Sequence, residues 1–362
     1  MLTRDELQGL YRELRDEGVL SVYVDGGQTN PAERRVWHTA MERGLDEERR
    51  WLEAHATDEL EAFDAARGRI EADLERHRAF LPDRGWIGFA TKDDLKHAEG
   101  VPVPMPDLVR WERGIRVAPY VRALKQARVV VAALADRRKA RIFTYREGEV
   151  TEHADLIADL DHGDLSESAS SKRAGAQTGS RGETGTDAGQ RALDVSATRI
   201  QAQILDAVGN LAGNDGLVVF GGTPEVVSAL ARQSNRFAGR RLERTSMHLG
   251  MTAAQVKDEM EAAASELTRG LQDPLLTQVV DAAKSRGKGC LGIQATKEAL
   301  REGRVDSLLI TPGFRAREGD LADHFVGSAF EQGAAVEELS SVGADRLDEE
   351  GEGVGARLRY TT

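Results

Sequence analysis

The stretch Val129–Val150, VVVAALADRRKARIFTYREGEV, decides how this chain is read. An apolar run, Arg128–Leu134, is followed by a second strand-like run, Ala140–Tyr145. Asp136 and Arg137 sit between them as turn residues, so the two runs form a hairpin. Gly148 marks a tighter turn before Val150–His153. Downstream lies Gly163–Gln190, GDLSESASSKRAGAQTGSRGETGTDAGQ, in which Leu165 alone is an aliphatic side chain larger than alanine. Such a segment buries too little apolar surface to offset the entropy of ordering it. A structureless stretch this long within a compact unit is either functional or disordered.

A helix follows the loop, with Asp187 as its candidate cap and its end near Leu211. Its stripe is Leu193, Ala197, Ile200, Ile204, Val208 and Leu211, three or four residues apart. Gly216–Gly221 is the next strand, Pro224–Ala231 opens a helix, and Arg241–Leu249 closes the unit as a strand. Strands alternating with helices predict an α/β layer over residues 124–250, with 163–190 as its flexible loop.

Residues 1–123 read as an N-terminal α+β domain. Thr3 and Glu6 form a capping box ahead of the stripe Leu7, Leu10, Leu14 in a helix over 3–17. Leu20–Asp25 is a strand, and Pro31 suits the first turn of the next helix. Trp37, Met41, Leu45, Glu48 and Leu52 recur at helical spacing, as do Leu60, Phe63, Arg67, Ile70 and Leu74. Trp86–Ala90 is a strand, Lys92–Pro106 reads as turns and extended chain, and Ile115–Pro119 as a short strand.

Residues 251–362 read as a small α/β/α domain. Thr252 and Gln255 cap a long helix that reaches about Ser285, and Pro274 is expected to break it. Gly289–Gly292 is a turn, Ile293–Glu302 a helix ended by Gly303, Val305–Ile310 a strand, and Leu321–Gly333 a helix. Ala335–Leu339 and Val354–Tyr360 are strands.

The 362 residues suffice for two or three domains, and an apolar content of 40% supports real cores. A formal net charge of −12 argues against nonspecific nucleic-acid binding by bulk field, and leaves room for a local basic patch on an RNA-containing partner. One cysteine, Cys290, makes neither a disulfide framework nor a cysteine-rich metal site. The start of the sequence lacks a signal-peptide apolar core, and no window approaches a membrane span. The expectation is a cytoplasmic protein without membrane or DNA partners and without a cofactor.

Gly26-Gly27-Gln28 is a GGQ tripeptide whose position after a strand reads as a turn. Ala188-Gly189-Gln190 stands at the loop–helix junction, where free N–H groups favour an anion. An alanine at its first position resists the positive φ that a glycine there would allow. Lys172, Arg173 and Arg181 on the loop, with Arg191 just past it, form an arm suited to RNA phosphates. The acids Asp164, Glu167, Glu183 and Asp187 in the same stretch suit a solvated linker equally. Arg137, Arg138, Lys139 and Arg141 make a denser basic hairpin, a candidate phosphate contact. Gly221-Gly222-Thr223-Pro224 reads as a strand-to-helix turn, lacking the GxGxxG spacing and a Walker lysine. The eight histidines show no HExxH spacing, and no GxSxG elbow occurs.

These residues carry a resemblance. VVVAALADRRKARIFTYREGEV, AGQRALDVSATRI and LVVFGGTPEVVSAL are similar, in that order, to the middle domain of the release factor 1/Pelota superfamily. ATKEALREGRVDSLLI and GVGARLRY resemble its last domain. The nearer likeness is to the bacterial and archaeal branch that includes mycobacterial relatives of the ribosome hibernation factor Balon. The resemblance implies a three-domain architecture with an L7Ae-like C-terminal α/β/α domain and covers about two-thirds of the chain. It further implies a protein of the ribosomal A site that contacts rRNA and works with a translational GTPase. It places Ala188, Gly189 and Gln190 at the tip that approaches the peptidyl-transferase centre. With alanine first, the expectation is a non-catalytic hibernation or stress factor, since occupying a site needs contacts rather than a transition state. The alternatives are a peptidyl-tRNA hydrolase of release or rescue type, with Gly189 and Gln190 as catalytic candidates, and an interaction scaffold that does not bind ribosomes.

Overall fold

The computed structural model describes residues 1–27, 36–77, 80–137, 139–146, 148–153, 185–339 and 342–361. They fall into two compact units, one of residues 1–127 with 272–362, the other of residues 128–271. Among the described residues the fold is mixed α/β and α+β, with three sheets.

The second unit carries the hairpin. Strands β5 (Val130–Ala135), β6 (Ala140–Arg146), β7 (Glu149–Glu152), β8 (Leu217–Gly222) and β9 (Arg241–Arg244) form a sheet in the order β7-β6-β5-β8-β9. β5 pairs antiparallel with β6 and parallel with β8, so it is the central strand. Its side chains alternate between two cores. Val131, Ala133 and Ala135 face helices α5 (Gly185–Ala212) and α6 (Pro224–Gln233), through Ile200, Ile204, Val208, Val227 and Leu230. Val130, Ala132 and Leu134 face Val256, Met260, Ala263 and Leu267 of helix α7 (Ala253–Lys284). A strand buried on both faces must be apolar at every position, and that is why Val129–Ala135 reads as one continuous run.

The other unit holds two sheets. Strands β1 (Gly18–Asp25), β2 (Gly85–Ala90), β3 (Leu95–Val101) and β4 (Leu108–Arg113) are antiparallel in the order β3-β2-β1-β4. Helices α2 (Val36–His55) and α3 (Leu60–Leu74) cover one face, where Leu20, Val22 and Val24 meet Trp37, Met41, Leu45, Phe63 and Ile70. Glu48 is buried among them because its carboxylate accepts the Trp111 backbone N–H at 2.9 Å. The opposite face, with Val19, Tyr23, Ile87 and Phe89, shares a core with helices α1 (Arg4–Glu13) and α4 (Ala118–Gln126) and with the C-terminal residues Leu300, Phe325 and Phe330. The third sheet, order β10-β13-β11-β12, is built from β10 (Gly289–Leu291), β11 (Val305–Ile310), β12 (Ala335–Glu338) and β13 (Val354–Leu358). Helices α8 (Ile293–Arg301), α10 (Gly319–Glu331) and α11 (Val342–Gly351) pack on it, and the short α9 (Pro312–Arg317) packs on α10 and α11.

Five sequence expectations are corrected. The Thr3–Glu6 capping box is present, with Thr3 N donating to Glu6 at 2.8 Å, but its helix stops at Glu13 rather than 17. Lys92–Pro106 contains the strand β3, which pairs along β2 after the turn Thr91–Asp94. Ile115–Pro119 leads into helix α4, where Pro119 occupies the first turn, the one part of a helix that does not need its N–H. α7 runs through Pro274. On its N-terminal side Met260 and Leu267 are buried, and on its C-terminal side Leu276, Val279 and Val280 are buried in a core with Leu309 and Leu347. Burial on both sides outweighs the single backbone hydrogen bond that a proline removes. Finally, Gly289–Leu291 is an edge strand rather than a turn, paired with β13.

Candidate functional site

The structure separates the basic hairpin residues by role. Arg141, on β6, is fully engaged. Its Nε and Nη2 donate to the two Glu152 carboxylate oxygens at 2.7 and 2.9 Å. Its Nη1 donates to the carbonyls of Leu249 and Met251 at 2.7 and 2.8 Å. The guanidinium also lies over the Phe143 ring, 4.8 Å from its centroid. The pairing holds the Glu152 carboxyl below its usual range, through the hydrogen bond first and charge second. Arg141 is thus a staple that ties β6 and β7 to the segment entering α7, with few donors left for a phosphate.

Arg137 lies in the turn itself, paired with Glu225 at 2.6 Å in an exposed ion pair. Pairs of this kind are worth little in water and exchange readily for a stronger anion. The Lys139 backbone N–H donates to Asp136 Oδ1 at 2.8 Å, closing the turn. The hairpin tip therefore presents the Arg137 and Lys139 side chains outward, both exposed. Arg138, Lys172, Arg173 and Arg181 lie outside the described residues.

The second motif lies on α5. The helix begins at Gly185, so Ala188, Gly189, Gln190 and Arg191 are within its first two turns and Asp187 is inside it rather than capping it. In a helix that starts there, the amides of Gly189 and Gln190 donate to carbonyls one turn back. They are then spent on the helix rather than offered to an oxyanion. The C-terminal part of the same helix is anchored by Ile200, Ile204 and Val208 against β5.

Two glycine motifs have structural explanations. Gly222 ends β8 with φ of +119°, and a Cβ there would stand 1.8 Å from the Ala135 carbonyl oxygen. Gly221 is closed in by Leu134 and Met247. The pair lets β8 leave the sheet beside β5, which accounts for it without a ligand. In Gly26-Gly27-Gln28, the Gly26 N–H donates to the Arg84 carbonyl at 2.8 Å and a Cβ would stand 2.5 Å from the Asp83 oxygen. Gly27 N–H closes a turn on Asp25 Oδ1 at 2.9 Å, and Gln28 lies outside the described residues. Among the described residues, no three His, Cys, Asp or Glu groups could hold a metal ion, and no helix is long and apolar enough to cross a membrane.

One cluster escaped sequence reasoning. Asp323 accepts from Arg116 Nε at 3.2 Å and Arg122 Nη1 at 2.9 Å, and Arg116 Nη2 also reaches Asp320 at 2.6 Å. Lys125 pairs with Glu337 at 2.5 Å nearby. These partners are some two hundred residues apart in sequence, so no local spacing announces them.

Residues 116–268, the span that holds the hairpin, α5 and β8, match the family described as bacterial archaeo-eukaryotic release factor family 10. No curated protein matches the chain. Among solved structures, a Saccharomyces cerevisiae Dom34, described as a translation termination-like factor interacting with Hbs1, is similar at 10% identity with a TM-score of 0.44. That match covers 64% of this chain and 63% of Dom34, less than two thirds of the yeast protein's length. The Archaeoglobus fulgidus Pelota is similar at 12% identity over 76% of this chain and 79% of its own, with a TM-score of 0.35. A ribosome-bound archaeal Pelota with ABCE1 gives 12% identity over 99% and 95%, with a TM-score of 0.46.

Proposed function

We propose that this chain belongs to the release factor 1/Pelota-like superfamily, as the match over residues 116–268 supports, and that it is a ribosome-binding translation factor that occupies the A site without catalysing peptide release. The observation that carries this reading is the family match itself, which spans both the basic hairpin and the Ala188-Gly189-Gln190 segment. The exposed Arg137 and Lys139 supply contacts to rRNA phosphates at the hairpin tip. The placement of Gly189 and Gln190 within a helix, and the alanine before them, favour binding over hydrolysis, because release chemistry needs a backbone N–H free to face the ester carbonyl. A dormancy or stress role follows from binding without turnover, and a translational GTPase is the partner that the superfamily's architecture suits.

Co-sedimentation of the purified protein with vacant ribosomes across a salt series tests the reading. Salt-sensitive binding that weakens when Arg137 and Lys139 are both changed to glutamine is the expected result. No binding at low salt, with or without a translational GTPase, would overturn it in favour of a scaffold. Hydrolysis of ribosome-bound peptidyl-tRNA that disappears in Gln190→Ala would instead establish the release or rescue reading.

A further inference from the structure

The end of the second unit's sheet away from the hairpin tip carries another basic surface. Residues 232–241, RQSNRFAGRR, hold four arginines and no acid, in a chain where acids outnumber lysine and arginine 61 to 49. Arg232 lies in the last turn of α6, Arg236 in the single turn that follows, and Arg240 and Arg241 where β9 begins. The Val218 N–H donates to the Arg240 carbonyl and the Leu217 N–H to the Val129 carbonyl, both at 2.9 Å, so the cluster stands where β5 and β8 start. The hairpin tip follows Ala135 at the other end of β5, roughly 20 Å away at about 3.3 Å per strand residue.

Among the described residues, none of these four arginines pairs with a carboxylate. Three of the guanidiniums are held by carbonyl oxygens and a ring instead. Arg236 donates to the Leu205 carbonyl on α5, and Arg240 Nη1 to the Gly216 carbonyl at 2.8 Å. Arg241 Nη1 donates to the Ser234 carbonyl and hydroxyl, both at 3.1 Å. Arg236 and Arg240 lie over the Phe237 ring, 4.8 and 5.9 Å from its centroid. Arg236 rests against α5 at Gly209, where a Cβ would overlap its guanidinium. Glycine inside a helix is unfavourable relative to alanine, and here it makes room for the cation. Carbonyls and a ring fix these groups without cancelling their charge, which leaves preoriented cations with N–H groups to spare.

Two features choose the polyanion. Arginine rather than lysine at all four positions suits phosphate oxygens, which its planar fork matches. Phe237 is only 1% exposed, and the exposed large apolar residues Val36, Trp51, Phe80 and Tyr360 all belong to the other unit. The surface therefore offers an unpaired base no ring to stack on, and a lipid or apolar peptide no anchor. Double-helical RNA, contacted through its phosphates, needs neither.

We propose that the Arg232–Arg241 surface binds the phosphate backbone of double-helical RNA, as a contact separate from the hairpin tip. The choice of RNA as the polyanion rests on the ribosome-binding reading; the cation cluster does not.

Fluorescence anisotropy of the full chain with a short labelled RNA duplex, across a salt series, tests this. The duplex is expected to bind more tightly than its separated strands or polyglutamate. Arg232→Gln combined with Arg236→Gln should weaken duplex binding about tenfold and lower the salt slope by about two, roughly one for each lost phosphate contact. Arg232→Lys combined with Arg236→Lys keeps the charges and should bind more tightly than the glutamine pair. Both positions are exposed, and circular dichroism checks that the variants fold. No duplex binding at low salt, tighter binding of the separated strands or of polyglutamate, unchanged binding in the glutamine pair, or an equal loss in the lysine pair would each overturn the proposal. Ribosome co-sedimentation keeps the two readings apart. Absent duplex binding with ribosome binding intact removes this surface alone, and the reverse removes the ribosomal reading alone.

Discussion

Arg116 donates through Nε to Oδ2 of Asp323 at 3.2 Å, joining the residues just before α4 to the buried face of α10. Asp323 is 8% exposed and serves Arg122 as well, so one carboxylate neutralises two partly buried cations. With the shared apolar core of Tyr120, Phe325 and Phe330, this contact makes residues 1–127 and 272–362 one body. Removing the carboxylate costs more than the hydrogen bonds themselves, because it takes the ion-pair partner from the partly buried Arg122, while Arg116 keeps Asp320 and Glu112.

Asp323→Ala is therefore expected to destabilise that unit by about 3 kcal/mol, the scale for breaking one side of a buried pair. Arg122→Ala should cost less, since Asp323 keeps Arg116. Urea unfolding followed by tryptophan fluorescence reads the difference, because Trp37, Trp86 and Trp111 are buried in this unit.

The staple at Arg141 predicts a separation of stability from binding. Arg141→Ala should lower the stability of the second unit by about 2 kcal/mol, from the lost charge-assisted bonds to Glu152 and the carbonyls of Leu249 and Met251. Arg137→Gln should leave stability within about 0.5 kcal/mol, as its ion pair is exposed. Thermal melts and ribosome co-sedimentation of the two variants, side by side, check this.

Gly222→Ala should be among the most damaging single changes in the second unit. The backbone there has φ of +119°, and the added Cβ would overlap the Ala135 carbonyl that β8 approaches. A loss of about 3 kcal/mol or more is expected, and soluble yield and denaturant midpoint would show it. Gly213→Ala, at φ +55° with open space around it, should cost only about 1 kcal/mol.

Glu99 predicts an acid-sensitive contribution. Burial raises its pKa, but the nearby His97 ring, the hydrogen bond from the Tyr120 hydroxyl and the Met1 amine outweigh it and hold the carboxyl at about 2 against its usual 4.5. The unfolded chain then binds the proton more readily, so this contribution is full above about pH 4.5 and is lost as pH falls toward about 2. Glu99→Gln should flatten the fall in stability over that window and cost up to about 3 kcal/mol at neutral pH, checked by urea titrations at several pH values.

Local pattern made much of this chain legible. Trp37, Met41, Leu45, Glu48 and Leu52 were readable as one helical face because a helix returns every third or fourth residue to the same side, and all five are buried. Val129–Ala135 was readable as a strand because both of its faces are covered. Helix α4 was not, since its buried residues Ala118, Tyr120, Val121 and Ala123 follow β-prone Ile115 and Val117 and show no clean stripe without knowledge of what covers them. The Pro274 break was a sound local inference that burial on both sides of the proline overrode. Composition and spacing alone singled out Arg141 as a phosphate contact; only the chain's return at Leu249–Met251 turns it inward. Asp323 owes its role to partners some two hundred residues away, which no local spacing announces. A sequence determines which residues can share a helix or strand face, because that depends on bonds a few residues long. Which distant faces meet, which charges are neutralised there and which are left over are decided only when the chain closes on itself.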